Sequence, residues 1–200
     1  MKGFFLEERH FHRRNLPHLY YNEGTYFITY RLADSLPVDF LKKLHDEMKS
    51  SNAELSIKEK RIFRKYDELL DKGTYGKKYL SLPSVAEEAI QPIHFVDGKE
   101  YKLLCYCIMP NHIHLVFRLL PANSGISKIM QSIKRISGRE CNKVLKRKGK
   151  FWQVESFDRL IRTDRELFNV IKYVLDNPIN AELVMESKEW KYSYLCDSIL

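Results

Sequence analysis

The sequence predicts an α/β (α+β) fold: an antiparallel sheet with helices mainly on one face, plus a helical insertion at about residues 50–91. Three observations predict it. Strand-like and helix-like stretches follow in the order β-α-(insertion)-β-β-α-β with a final helix, a split βαβ arrangement. Two apolar strands meet at a Pro-Asn turn in Leu103-Leu104-Cys105-Tyr106-Cys107-Ile108-Met109-Pro110-Asn111-His112-Ile113-His114-Leu115-Val116-Phe117. Two long stretches, 124–148 and 163–177, repeat apolar residues every three or four positions, as amphipathic helices do. With 200 residues, 44% of them hydrophobic, the chain can bury a core and fits one domain spanning 1–200.

The first strand is expected at Tyr26-Phe27-Ile28-Thr29-Tyr30-Arg31-Leu32, rich in aromatic and β-branched residues. Turn residues Ala33-Asp34-Ser35 close it, and Pro37 opens a helix to about Lys49 with Phe40, Leu41 and Leu44 on one side. From 50 to 91 the composition shifts to Lys, Glu and Asp. Helical pieces are expected at 57–70 and 85–90, interrupted at Lys72-Gly73-Thr74-Tyr75-Gly76. Ile93-His94-Phe95-Val96 reads as a strand joined to the next one, from Tyr101, by an Asp97-Gly98 hairpin turn. In the 124–148 helix Ile126, Ile129, Met130, Ile133, Cys141, Val144 and Leu145 form the apolar arc, and Gly149 ends it. Residues 151–154 and 157–161 read as strand segments. Thr163-Asp164-Arg165-Glu166 is a capping box for the last long helix, whose arc is Leu167, Phe168, Val170, Ile171, Val174 and Leu175 and which Pro178 should end.

The turn at residues 109–112 starts a strand at His112, because proline presets one central turn position and asparagine tolerates the other. Alternation along a strand then puts His112 and His114 on one face and Ile113, Leu115 and Phe117 on the other. Two neutral imidazoles on one face can offer ring nitrogens to a single metal ion. A lone His-x-His in a strand is more often a pair of ordinary surface or core histidines than a ligand pair, so something else must converge on it.

Charge points to a polyanion. The formal net charge is +8, and residues 123–172 hold 13 Lys and Arg against 5 Asp and Glu, while the remaining 150 residues balance at 21 of each sign. Lys134, Arg135, Arg139, Lys143, Lys146 and Arg147, on the polar side of the 124–148 helix, are the candidate nucleic-acid contacts. A solvated helix face would ordinarily carry both signs. Glycine-rich phosphate loops are absent, which removes nucleotide-cofactor readings. No apolar stretch reaches membrane-spanning length, and Met1-Lys2-Gly3-Phe4-Phe5-Leu6-Glu7-Glu8-Arg9 has charges where a signal peptide needs an apolar run, so a cytoplasmic protein without a membrane partner is expected. Cys105, Cys107, Cys141 and Cys196 lack zinc-finger spacing and are expected to be reduced, structural thiols.

On the capped helix Tyr173 and Asn177 are one turn apart on the same edge of the apolar arc, so the helix offers a hydroxyl nucleophile and an oxygen ligand together. If that arc packs on the sheet, the edge can hang over His112 and His114. The pattern resembles the HUH-type single-tyrosine transposases, the IS200/IS605-like group, and in particular the REP-associated tyrosine transposase branch. Met109-Pro110-Asn111-His112-Ile113-His114-Leu115 is similar to the family's histidine-hydrophobic-histidine strand and its turn. Tyr173-Val174-Leu175-Asp176-Asn177-Pro178-Ile179-Asn180-Ala181-Glu182-Leu183-Val184 is similar to the catalytic-tyrosine helix and its Asn-Pro exit. Tyr26-Phe27-Ile28-Thr29-Tyr30-Arg31-Leu32-Ala33-Asp34-Ser35-Leu36-Pro37, Trp152-Gln153 and Trp190-Lys191-Tyr192-Ser193-Tyr194 fit the same branch. Two features depart from it: Phe157-Asp158-Arg159 stands where members often carry aromatic-Asp-His, and the 50–91 segment is longer than in compact members.

The resemblance implies a ferredoxin-like, RRM-like fold and cleavage and rejoining of single-stranded DNA, hairpin-bearing in the family's manner, by a monomer or homodimer. It implies Tyr173 as nucleophile, forming a 5′-phosphotyrosine, and Mg²⁺ or Mn²⁺ held by His112, His114 and Asn177. Two other classes stay open on the residues alone. One is a catalytically silent single-stranded nucleic-acid-binding domain derived from such a transposase. The other is a barrel-type metal hydrolase, for which the motif sits too far along the chain and 200 residues cannot supply eight βα units.

Overall fold

The computed structural model describes residues 8–13, 17–50 and 55–199; the first seven residues of the N-terminal stretch and positions 51–54 of the expected insertion lie outside them. A short antiparallel pair, β1 (Glu8–Arg13) and β2 (Pro17–Tyr21), precedes the main sheet. The rest of the chain runs β3 (Thr25–Arg31), α1 (Val38–Ser50), α2 (Leu55–Asp71), α3 (Pro83–Val96), β4 (Tyr101–Ile108), β5 (His112–Leu119), α4 (Ile126–Val144), β6 (Phe157–Ile161), α5 (Asp164–Asn180) and β7 (Ser193–Leu195). The main sheet has five strands in the order β6-β3-β5-β4-β7, all pairs antiparallel. This is the α+β fold that the sequence predicts.

Two cores lie on opposite faces of this sheet. Tyr26, Ile28 and Tyr30 of β3 and Ile113, Leu115 and Phe117 of β5 pack against Val85, Ala86, Ala89 and Ile93 of α3 and Ile126, Ile129 and Ile133 of α4. The other face carries Phe27 and Val116, covered by Ile62, Phe63, Tyr66 and Leu70 of α2 and Val170, Ile171 and Val174 of α5. The helices are therefore shared between the two faces rather than gathered mainly on one. A bulge in β4 between Leu103 and Cys105 reverses the strand's alternation, sending Tyr101, Leu103, Tyr106 and Ile108 into the first core and Cys105 and Cys107 into the second.

Three local expectations change. Ile93–Val96 is the last turn of α3, not a strand, because Val85, Ala86, Ala89, Ile93 and Val96 recur every three or four residues and all are buried on one side. The Asp97-Gly98 turn accordingly links a helix to β4, with Gly98 at φ +73° and its N–H donating to the Tyr101 carbonyl at 2.8 Å. At residues 151–154 the expected strand is reduced to one bridge, Trp152 to Leu32. Trp152 instead donates its ring N–H to Ser137 Oγ at 2.9 Å and packs on Gly138, where a Cβ would approach its ring to 3.2 Å. Pro178 does not end α5, which continues to Asn180. The proline lacks only its own bond back to the preceding turn, and Ala181 N–H still donates to the Asn177 carbonyl at 2.9 Å.

Candidate metal and tyrosine site

The site begins with the turn before β5. Met109 N–H donates to the His112 carbonyl at 2.9 Å and closes the turn, which leaves the Asn111 side chain fully enclosed. Asn111 Nδ2 donates to the Leu70 carbonyl of α2 at 3.0 Å, so its Oδ1 faces His112 Nδ1, 2.7 Å away. An amide oxygen only accepts, so His112 must carry its proton on Nδ1 and present a bare Nε2. His114 lies opposite Thr29 of β3, whose hydroxyl is 2.9 Å from His114 Nδ1. A hydroxyl can donate or accept, so His114 can also present a bare Nε2.

The two Nε2 atoms are 3.0 Å apart and both rings are completely buried. Burial holds His112 well below the ordinary histidine pKa, helped by the neighbouring His114, and lowers His114 to about 3. Both imidazoles are thus neutral ligands at neutral pH. With both Nε2 atoms bare, their lone pairs repel, and a shared cation removes that repulsion.

The α2 helix closes this corner. Asp67 Oδ1 is 3.5 Å from His114 Nε2, and Asp71 Oδ1, one helical turn on, is 3.6 Å from His112 Nε2. Asp67, His112 and His114 form a buried group whose ligand atoms all lie within 4.8 Å of one another. Both oxygens of Asp67, Asp71 Oδ1 and Asn177 Oδ1 are buried without a hydrogen-bond partner. Burial pushes the Asp67 carboxyl well above the usual range, with the charges of Asp71 and Glu68 adding to it. Burial likewise raises Asp71 to about 7, against the opposing effect of the Asn177 amide. Unpartnered buried oxygens beside two neutral imidazoles fit a divalent cation, since burying such oxygens is otherwise costly.

From the other side α5 supplies Tyr173 and Asn177. Thr163 caps the helix, its Oγ1 accepting from Glu166 N–H at 3.1 Å, and Val170, Ile171 and Val174 anchor it to the sheet. Tyr173 is half-buried, its ring 5.7 Å from that of His114 and between Phe27 and Phe63 at 6.2 and 5.9 Å. Asn177 is completely buried, and its Nδ2 donates to Tyr173 Oη at 3.4 Å. Tyr173 thus lies beside His114, and Asn177 reaches this corner through its bond to Tyr173 and its interaction with Asp71. An open cavity of about 790 Å³ is lined by Tyr173, Asp67 and Asp71 and by the cationic Arg64, Lys72 and Arg159.

A family model described as "Transposase IS200 like" matches residues 74–177 of this chain. The chain belongs to the IS200-like transposase family. A Haemophilus influenzae protein named as a REP-associated tyrosine transposase is 31% identical over 103 residues, which cover 46% of this chain and 58% of that protein. The matched stretch is thus little more than half of the relative's length. A solved structure of a REP-associated tyrosine transposase bound to a REP hairpin is similar in fold, with a TM-score of 0.51 at 16% identity over 91% of this chain and 80% of that one.

In this transposase-family chain the candidate DNA contacts lie apart from the histidines, because α4 packs on the opposite face of the sheet. Lys134 is half-buried, its Nζ donating to the carbonyls of Gln153 and Val154 at 3.1 and 2.9 Å. Arg139 and Lys143 both pair with Glu140, at 2.6 and 2.7 Å, on the exposed side of the helix. Arg135 and Lys146 are exposed, and Arg147 stacks over Tyr79. Among the described residues no helix is long and apolar enough to cross a membrane.

Sequence reasoning did not single out Thr29, Asn111, Asp67 or Asp71. A signal for the two carboxylates was available. Phe63, Asp67 and Asp71 are spaced by four along α2, so Asp67 falls on the helix's buried stripe, where an acidic residue is out of place without a partner.

Proposed function

We propose that this chain acts as a single transposase-like domain that cleaves and rejoins single-stranded DNA through a 5′-phosphotyrosine at Tyr173, at hairpin-forming repeats. The observation supporting this reading is the placement of Tyr173 between the His112–His114 pair and a cavity edged by Arg64, Lys72 and Arg159. Tyr173 Oη attacks the scissile phosphorus, the new bond joins the downstream 5′-phosphate to the tyrosine, and the bond to the upstream 3′ oxygen breaks. The 3′ oxygen leaves as a hydroxyl after taking up a proton. Attack by a 3′-hydroxyl on the phosphotyrosine reverses these bonds, so the phosphodiester energy is conserved and rejoining needs no ATP.

His112, His114 and Asn177 would hold Mg²⁺ or Mn²⁺, which polarises the phosphate and stabilises its developing charge. Asn177 Nδ2 orients the phenol, and the ring contacts with Phe27, Phe63 and His114 restrict its position. Arg64, Lys72 and Arg159 share the cavity wall with Asp67, Glu68, Asp71 and Glu182, so a phosphate bound there would need the divalent ion to offset the acids. The hairpin is proposed by analogy with the solved transposase of similar fold, which is bound to one. A cytoplasmic location follows from a DNA substrate of this kind.

The test is incubation of the protein with Mn²⁺ and a hairpin-bearing single strand labelled at its 3′ end. A denaturation-resistant protein–DNA adduct is expected. DNA binding without adduct or cleavage on any hairpin-bearing strand would instead assign the chain to the catalytically silent class.

A further inference from the structure

We propose that Asp67 of α2 is a direct ligand of the divalent ion shared by His112 and His114, so that a helix outside residues 74–177 completes the metal centre. This rests on the metal site proposed above and adds a ligand, of a different chemical kind, that comes from a different part of the chain.

Three observations carry it. Asp67 Oδ1 is 3.5 Å from His114 Nε2, and its ligand atom lies within 4.8 Å of those of both histidines. The side chain is essentially inaccessible, 1% exposed, and neither oxygen has a hydrogen-bond partner. A buried carboxylate in that condition is costly to the fold unless a cation or a proton compensates it. Finally, α2 is fixed against the site from both ends of this region. Phe63 packs edge-on to Phe27 at 5.1 Å, and the Leu70 carbonyl accepts from Asn111, the residue that orients His112. The helix is thus in register with the histidines rather than loosely laid over them.

The consequence is chemical. Two neutral imidazoles alone favour Zn²⁺ and its neighbours, whereas an anionic oxygen donor beside them, with the Asn177 amide, shifts the site toward Mg²⁺ and Mn²⁺. One negative charge from the protein also leaves the ion with net positive charge to meet a phosphate. Residues 55–71 then belong to the catalytic machinery rather than forming a peripheral addition.

The experiment compares wild type, Asp67→Asn and His112→Ala by Mn²⁺ titration calorimetry and by thermal unfolding in EDTA and in Mn²⁺. Asp67→Asn keeps the shape and removes the charge. In EDTA it should unfold near the wild-type temperature, because the substitution keeps the shape of the side chain. In Mn²⁺ it should lose most of the wild-type upward shift, and its affinity should fall by about 10-fold or more. Wild-type Mn²⁺ affinity in Asp67→Asn, with affinity lost in His112→Ala, would overturn the assignment of Asp67 and leave the histidine site standing. Wild-type affinity in both variants would remove the metal site as well. If Asp67→Asn does not fold, Asp67→Ala, which removes the carboxylate and leaves room for water, replaces it in the same titration, with affinity loss supporting the ligand and wild-type affinity overturning it.

Discussion

The Nε2 atoms of His112 and His114 stand 3.0 Å apart, closer to each other than either is to an α2 carboxylate oxygen. Their other nitrogens are occupied by Asn111 Oδ1 and Thr29 Oγ1, so both rings turn the same kind of atom toward the same point. This convergence depends on two buried residues, Asn111 and Thr29, and it makes the site sensitive to them.

Asn111→Ala should weaken Mn²⁺ binding by about 10-fold or more, the scale for loss of a group that orients a metal ligand. The substitution frees the His112 ring to take the other tautomer and also removes the bond to the Leu70 carbonyl. Calorimetric titration measures it, and an affinity equal to wild type would mean that Asn111 serves only the turn.

Tyr173→Phe keeps the ring that contacts Phe27, Phe63 and His114 and removes one oxygen. Folding, Mn²⁺ binding and single-stranded DNA binding should persist, while the covalent adduct should vanish rather than form slowly. A gel under denaturing conditions reads this directly. An adduct at wild-type yield would transfer the nucleophile to another side chain.

Metal-free stability should carry the signature of Asp71. Burial holds its carboxyl at about 7 in the folded chain, above an unfolded value of about 3.9. A raised folded pKa contributes stability that is complete below about pH 4 and is lost as pH rises through about 7. Asp71→Asn stays neutral throughout, so its stability relative to wild type should grow across that window. His112, 3.6 Å from Asp71, and Asp67, which feels the Asp71 charge, respond to the substitution as well, so the difference reads Asp71 together with these neighbours. Denaturant midpoints in EDTA at pH 4 to 8 measure it, and parallel curves would contradict the expectation.

Lys143 lies in the last turn of α4, the helix that backs the sheet, and Lys146 and Arg147 lie in the turn after it, away from the histidines. If they contact phosphates, replacing all three with alanine should flatten the dependence of log affinity on log salt by up to about 2, at roughly 0.7 per phosphate on a single strand. Cleavage at saturating DNA should be little changed. An unchanged slope would make them a solvated face.

Lys134 belongs to a different class from its basic neighbours. Its ammonium bonds two carbonyls of the 151–154 segment, and burial lowers its pKa to about 8. Lys134→Met should therefore destabilise the fold by roughly 1.5–3 kcal/mol, the range for hydrogen bonds from a charged group, as read by denaturant unfolding. Equal stability would show that the two carbonyls find solvent at no cost.

The sequence by itself determined the features that rest on short-range periodicity and local chemistry. Alternation put His112 and His114 on one face, Thr163 marked the start of α5, and the helical period placed Tyr173 and Asn177 on one edge. It also determined the surplus of positive charge after β5, which is a matter of counting. Long-range placement was decided only in three dimensions. Helix α2 could be recognised as a helix, but nothing local to it says which sheet face it covers. Which face it covers is set by the two-sided burial of β3 and β5, where every residue from Thr25 to Arg31 is enclosed. Asp67 therefore looked like one more acid in a charged stretch until tertiary packing set it beside His114. The same packing turned Asn111 from a turn former into the partner of His112, tied Lys134 to backbone carbonyls, and drew Ile93–Val96 into a helix because Ala86, Ala89 and Ile93 bury together. A strand and a helix both accept those four apolar-rich residues in isolation, and only the core on that side of the sheet distinguishes them.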